Sequence, residues 1–154
     1  MRISTGVISM VFMMSATGSS ALAAQMPALK WGPAPAVFPA GAKMAVLAGD
    51  PGKPEQFTVR LDFPAGYTIP AHFHPTDELV TVIRGTFLVG MGDRFDAAKT
   101  ISLAGGGFIV APAKMNHYAR AKGHTVVQVS AMGPFAMTYV NPADNPAGRT
   151  SAHK

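Results

Sequence analysis

Most of the chain is a succession of short segments in which apolar and polar residues alternate. Between Phe57 and Phe63 every second residue is apolar, with Thr, Arg and Asp at the places between. This period of two is typical of a strand with one buried face. Gly, Pro and Asp residues supply turn chemistry where the segments end, and no stretch from Ala45 to Val140 has a helical period. The pattern predicts an all-β domain of antiparallel strands, either a sandwich or a barrel.

The N-terminal residues have the composition of a secretory signal peptide. A single Arg2 precedes an apolar run that ends in the small residues Ala21-Leu22-Ala23, which is the order of a cleavable export signal. Serine, threonine and glycine interrupt the run, so it lacks the uninterrupted apolar length of a membrane anchor. We therefore predict a cleaved signal peptide over residues 1–24, a periplasmic or secreted mature protein, and no membrane contact after cleavage.

Three further regions follow the predicted signal peptide. Residues 25–43 are rich in proline, which excludes a helix and favours an extended arm. Because this arm is also apolar, we expect it to lie across a sheet or across a partner subunit, and we predict a homodimer. Residues 44–141 make up the β domain, and residues 142–154 are expected to form a loose C-terminal tail.

The composition excludes several kinds of site. The chain has no cysteine, so disulfides, iron–sulfur clusters and thiolate ligands are ruled out, and any metal must be held by nitrogen or oxygen. The formal net charge of +5 comes from lysines and arginines that are scattered rather than clustered. Scattered charge of this size does not indicate a nucleic-acid partner.

One stretch, GYTIPAHFHPTDELVTVIRG, carries metal-ligating residue types at a suggestive spacing. His72 and His74 are one residue apart, and Glu78 follows after a Pro-Thr-Asp turn. Side chains at i and i+2 of a strand point to the same side, so both imidazoles could reach one ion. The glutamate could then add a carboxylate from the start of the next strand. The alternative is a pair of buried histidines that are simply hydrogen-bonded.

The same stretch resembles the first motif of the cupin superfamily. Gly66, His72, His74, Glu78 and Gly85 stand at the spacing of that motif without a mismatch. The chain is therefore similar to a small single-domain cupin, a monocupin, of the exported bacterial type.

The second cupin motif is matched in part. Its first glycine, its proline and its histidine correspond to Gly106, Pro112 and His117. Lys114 and Ala121 stand where the family has glycine and asparagine. The histidine ligand is kept, and we expect the turn at Lys114 to be altered.

The resemblance implies an antiparallel jelly-roll (cupin) barrel, here with an N-terminal proline-rich arm, that holds one divalent metal ion. The implied ligands are His72, His74, Glu78 and His117. Three imidazoles and one carboxylate suit Mn, Fe, Co, Ni, Cu or Zn better than Ca or Mg. A metal-free cupin whose histidines hydrogen-bond one another is the alternative.

Strand alternation predicts which residues surround the ion. Val80 and Val82 share the face of Glu78, and Met115 and Ala119 share the face of His117. These residues predict a largely apolar pocket, which suits a small organic ligand that binds the metal through one or two oxygens. No catalytic acid or base can be assigned from the sequence.

Two functions from different classes fit these observations. The first is an exported metal-dependent enzyme, a dioxygenase-like oxidoreductase or a lyase or isomerase, that catalyses oxidative cleavage, isomerisation or elimination of a small molecule. The second is a non-catalytic periplasmic sensor or binding module for a small molecule or for the metal. A structural, seed-storage-like jelly roll ranks third, because it needs no intact metal ligands. The fold itself does not choose among these functions.

Overall fold

A computed structural model describes residues 28–148 of the 154-residue chain. Its strands are β1 (Gly32–Pro33), β2 (Lys43–Ala48), β3 (Gln56–Phe63), β4 (Thr68–Phe73), β5 (Glu78–Arg84), β6 (Thr86–Met91), β7 (Ile101–Ala104), β8 (Phe108–Ala111), β9 (His117–Ala121), β10 (Thr125–Met132) and β11 (Thr138–Tyr139). The helices of this range are short 3-10 turns at Ala97–Lys99, Pro142–Asp144 and Pro146–Gly148. The prediction of an all-β fold is confirmed.

The predicted signal peptide, residues 1–24, lies outside the described residues, as do residues 149–154 of the predicted tail. In the range that is described, no helix has the length and hydrophobicity needed to cross a membrane.

The strands form two antiparallel sheets. One has the order β1-β2-β3-β10-β5-β8 and the other has the order β11-β4-β9-β6-β7. Gly85 separates β5 from β6 and so stands where the chain passes from one sheet to the other. Among residues 28–148 no strand pair joins the sheets, so the two sheets are not closed into the barrel that the resemblance implied.

The core lies between the two sheets and is built by strand alternation. In β3 the apolar residues from Phe57 to Phe63 are all buried, and the polar residues between them are half-buried, as the period of two predicts. Phe63 stacks on Tyr67 and Phe87 at ring-centroid distances of 4.8 and 5.8 Å. Such aromatic pairs add about 0.5–1.5 kcal/mol each beyond the area they bury.

The described part of the proline-rich segment doubles back on the domain. β1 pairs with the start of β2, and the Ala34 amide donates to the Ala42 carbonyl at 3.0 Å. Between these points the segment turns, and the side chain of Phe38 enters the core between the sheets. Trp31 remains 38% exposed and contributes nothing to that core.

Candidate metal centre

Three of the five histidines of the chain meet inside the fold. His72 near the end of β4 is paired in register with His117 at the start of β9, and His74 follows β4 directly. The ring centroid of His72 lies 4.9 Å from that of His74 and 4.3 Å from that of His117. One potential ligand atom of each ring lies within 4.8 Å of the other two. Strand pairing thus joins histidines that are far apart in sequence.

The Nδ1 atom of each ring is held by a backbone carbonyl. His72 Nδ1 lies 2.7 Å from the Pro70 oxygen, and His117 Nδ1 lies 3.0 Å from the Met115 oxygen. His74 Nδ1 lies 2.8 Å from the oxygen of Ala136. A carbonyl oxygen only accepts, so each Nδ1 carries the proton and donates, which leaves the lone pair on Nε2.

Glu78 stands beside this cluster at the start of β5. Its Oε2 atom lies 3.3 Å from His74 Nε2, although the carboxylate is not part of the three-histidine group. Burial raises the pKa of Glu78 to about 7, and the neighbouring His117 opposes this rise in pKa. The sequence placed this glutamate among the ligands, and the structure brings it next to one of the three imidazoles.

Burial also controls the charge of the histidines. It lowers the pKa of His72 well below its usual value of 6.5, with smaller lowering effects from His117 and His74. Burial is likewise the largest cause of the lowered pKa of His74 and of His117. Neutral imidazoles with a free Nε2 are the form that binds a metal ion.

These pKa shifts predict how the stability of the metal-free protein depends on pH. The unfolded chain takes up protons on these histidines near 6.5, while the folded chain takes them up only at lower pH. Unfolding is therefore favoured as the pH falls below 6.5, and the histidine contribution to stability is lost as the pH passes through the folded pKa values.

Glu78 has the opposite effect, because its folded pKa is raised from 4.5 to about 7 and the folded chain binds its proton first. With three histidines against one glutamate, chelator-treated protein should melt at lower temperature at pH 5 than at pH 7. The loss should be steeper in Glu78→Gln. A melting temperature that rises from pH 7 to pH 5 in the wild type would contradict this assignment of charges.

The arrangement of donor atoms fits a transition metal. His74 Nε2 is buried and has no hydrogen-bond partner. Among the described residues, it is the only buried side-chain nitrogen or oxygen atom without one. Ligand bonds of about 2.0–2.2 Å place two atoms on one ion about 3–3.5 Å apart. The 3.3 Å between His74 Nε2 and Glu78 Oε2 agrees with this separation. A bound ion would satisfy both atoms.

A small cavity of ≈ 40 Å³ opens beside the histidines, and its walls are apolar. Val80 and Ala119 line it. Val82 is buried in the core but does not border the cavity, since it lies one pleat further from Glu78 along β5.

Met115 differs from the prediction. It does not line the cavity, and its side chain is 46% exposed. Its amide donates to the Pro112 carbonyl at 3.1 Å in the turn that precedes β9. Met115 is therefore not part of the strand, and the strand alternation of side chains does not apply to it. The same turn contains Lys114, whose φ of 62° is the left-handed conformation that glycine adopts most easily. The turn conformation is thus adopted without the glycine.

Two kinds of site residue escape sequence reasoning. The carbonyl groups that orient the imidazoles, such as that of Ala136, carry no side-chain signal at all. Phe38 lines the cavity from the proline-rich segment, far from either motif. Its apolar character within that segment indicates burial, but the sequence does not say against which surface.

A family model described as Cupin domain matches residues 59–132, a range that contains both motifs. Comparison with curated protein sequences gives no match. The family match covers β4, β5 and β9, and therefore all three clustered histidines and Glu78.

Several solved structures share the fold. The polyketide cyclase RemF from Streptomyces resistomycificus is similar over 77% of this chain and 84% of its own, with 17% identity and a TM-score of 0.63. A salicylate 1,2-dioxygenase from Pseudaminobacter salicylatoxidans is similar over 68% of this chain and 32% of its own, with 16% identity and a TM-score of 0.55.

An RmlC-like cupin from Shewanella frigidimarina is similar over 68% of this chain and 83% of its own, with 18% identity and a TM-score of 0.53. At these identities the likeness concerns the fold. The match to the Cupin domain model supports the resemblance of residues 59–132 to the cupin superfamily, and the structural neighbours show that the fold is cupin-like.

Proposed function

We propose that this chain is an exported mononuclear-metal cupin that acts as an enzyme on a small organic ligand that chelates the metal. The observation that carries the proposal is the shared orientation of the three imidazoles. Each Nδ1 is bound to a backbone carbonyl, so each ring keeps a free Nε2. His72, His74 and His117 would hold the ion, and Glu78 would add a carboxylate. The reaction classes are oxidative cleavage, isomerisation and elimination.

When bound, a divalent transition metal would supply a Lewis acid that polarises a substrate oxygen. The residues of the chain would orient the ion and shield the substrate from water. The imidazoles hold their orientation through the carbonyl contacts, and the apolar walls exclude water from the reacting end of the substrate. Low polarity around the site strengthens charge interactions with the ion.

The walls of the cavity also define the kind of substrate. Apart from the histidines and Glu78, the described residues that line it are Phe, Leu, Ile, Val, Ala and Met, with no cationic, hydroxyl or amide side chain. A phosphate or a free sugar would find no partners there. The substrate class is therefore an uncharged, mainly apolar molecule whose polar oxygens lie at one end, such as a β-diketone or an enol.

The enzyme proposal is tested on protein reconstituted with each of Mn, Fe, Co, Ni, Cu and Zn. Oxygen uptake and product formation are measured with a panel of β-diketones, enols and catechols. The expected result is turnover of at least one compound by one metal form, and none by His117→Ala treated in the same way. Binding of such compounds without turnover by any metal form would contradict the enzyme assignment.

A non-catalytic periplasmic sensor or binding module is the second candidate. One observation favours it: Glu78 is the sole non-histidine ionisable residue among the described residues that line the cavity. A binder would return its ligand chemically unchanged after release from the protein. Dioxygenase and cyclase neighbours favour the enzyme, by analogy of fold alone.

Export and dimer formation are further parts of the proposal. Export with cleavage is supported by the composition of residues 1–24, and a protein that stays in the cytoplasm and still begins at Met1 would overturn it. A homodimer is supported by the apolar character of residues 25–43. A monomeric mass in solution that is unaltered by deletion up to Pro39 would rule the dimer out.

A further inference from the structure

A second apolar cavity lies beside the metal cavity. It measures ≈ 30 Å³, against ≈ 40 Å³ for the first. Four residues border both cavities, namely Phe38, Leu61, Glu78 and Val129. At about 10–15 Å³ for each water-sized sphere, either cavity alone holds only a few such spheres. A substrate larger than this needs both.

The ring of Phe38 forms part of the wall between the two cavities. Phe38 is buried, and its ring stacks on that of Phe135 at 5.8 Å with an interplanar angle of 4°. Of these two cavities Phe135 borders the second, and its ring lies 5.6 Å from the ring of His74. A tail that passes from the metal into the second cavity must cross the wall that Phe38 forms together with Leu61, Glu78 and Val129.

The segment that carries Phe38 is attached at separate points rather than by strand pairing. Tyr139 donates its hydroxyl to the Val37 carbonyl at 2.8 Å, and Tyr67 donates its hydroxyl to the Pro39 carbonyl at 2.5 Å. Strand pairing in this part of the chain is confined to β1 and β2, on either side of it. A shift of this segment would therefore leave the sheets intact.

We propose that Phe38 divides one elongated binding site, in which the metal end takes a chelating head group and the second cavity takes an apolar tail. Phe38 is then a specificity-determining residue that sets how long a tail is accepted. The ligand class is a chelating diketone or enol with an alkyl or single-ring tail. The head-group part of this inference rests on the proposed function, whereas the tail part rests on the second cavity.

The test uses the Zn²⁺-loaded full mature chain, since zinc is redox-silent and binding is measured without oxidation. Dissociation constants are determined by calorimetry for pentane-2,4-dione, heptane-2,4-dione and nonane-2,4-dione. Each methylene that enters an apolar site should tighten binding roughly fourfold. In the wild type the longest diketone should bind most tightly.

Two variants separate the roles of the cavities. Met44 borders the second cavity but not the first, so Met44→Phe should weaken binding of nonane-2,4-dione about tenfold and leave pentane-2,4-dione within twofold. Phe38→Ala should strengthen binding of the long diketone and leave the short one within twofold. Met132→Phe, at a half-exposed methionine that borders neither cavity, is the matched control and should change nothing.

The outcomes distinguish the two proposals. Equal affinity for short and long diketones, or a tail effect that Met44→Phe leaves unaltered, overturns the second subsite while the chelating function stands. Failure of every diketone to bind the zinc-loaded protein overturns this inference, while the wider panel of compounds and metals decides the proposed function. If Phe38→Ala does not fold by circular dichroism, Met44→Phe still gives the result.

Discussion

Replacing His117 with alanine is expected to lower the affinity for Zn²⁺ by about 100-fold or more. Binding of zinc by four protein ligands is worth about 10–16 kcal/mol, so one ligand contributes about 3 kcal/mol. His117 is buried, and its Nδ1 is already bound to the Met115 carbonyl, so its free Nε2 faces the other two rings. Competition with a chromogenic chelator measures the affinity of the variant and of the wild type.

His124→Ala is the matched control for this prediction. His124 lies outside the cluster, its side chain is 53% exposed, and its Nε2 is 2.5 Å from an oxygen of Asp62. Removing this ring should leave zinc affinity within about twofold, because it takes no part in the site. Equal affinities in the two variants would contradict a zinc site that depends on His117.

Replacing Gly85 with alanine is expected to destabilise the protein by about 3 kcal/mol or more. Gly85 has φ +87°, and an added Cβ would lie 2.4 Å from the His124 carbonyl oxygen and 2.8 Å from the Thr125 Cα. Both are backbone atoms, which cannot move aside as a side-chain end can. This glycine lies where the chain passes between the sheets, so relief of the clash would disturb the start of β6.

Gly66→Ala separates backbone strain from the clash. Gly66 also has a positive φ, +79°, but an added Cβ there meets nothing within 4 Å. Its substitution should cost only the conformational strain, about 1–2 kcal/mol. Urea unfolding of both variants measures the difference. If both variants lose the same amount of stability, the close packing around Gly85 is not the reason why this position requires glycine.

The parts of the structure that could be predicted from the sequence are those set by local rules. The alternation in β3 predicts its buried face, because a strand with one dry side needs that period. The i, i+2 spacing of His72 and His74 likewise predicts that both rings reach one place. The partner His117 came from family resemblance, since only strand pairing brings β9 beside β4.

The parts that could not be predicted depend on long-range packing or on the ends of strands. Met115 sits in a turn, where the period of two has already ended, so counting from His117 gave it the wrong environment. Phe38 reaches the cavity because its segment turns back and inserts this one ring between the sheets, and no local pattern encodes that path. The division of the strands into two separate sheets also depends on pairing between strands that are distant in sequence, so local patterns do not predict it.

The central claim is that the buried histidines hold a metal ion. It is tested most directly by the metal content of protein purified without added metal and without a nickel column. Inductively coupled plasma mass spectrometry of the wild type, His72→Ala and His117→Ala gives the number of ions per chain. We expect about one transition-metal ion per chain in the wild type and almost none in either variant. A wild type without metal, or a metal content that both substitutions leave unaltered, would contradict the account.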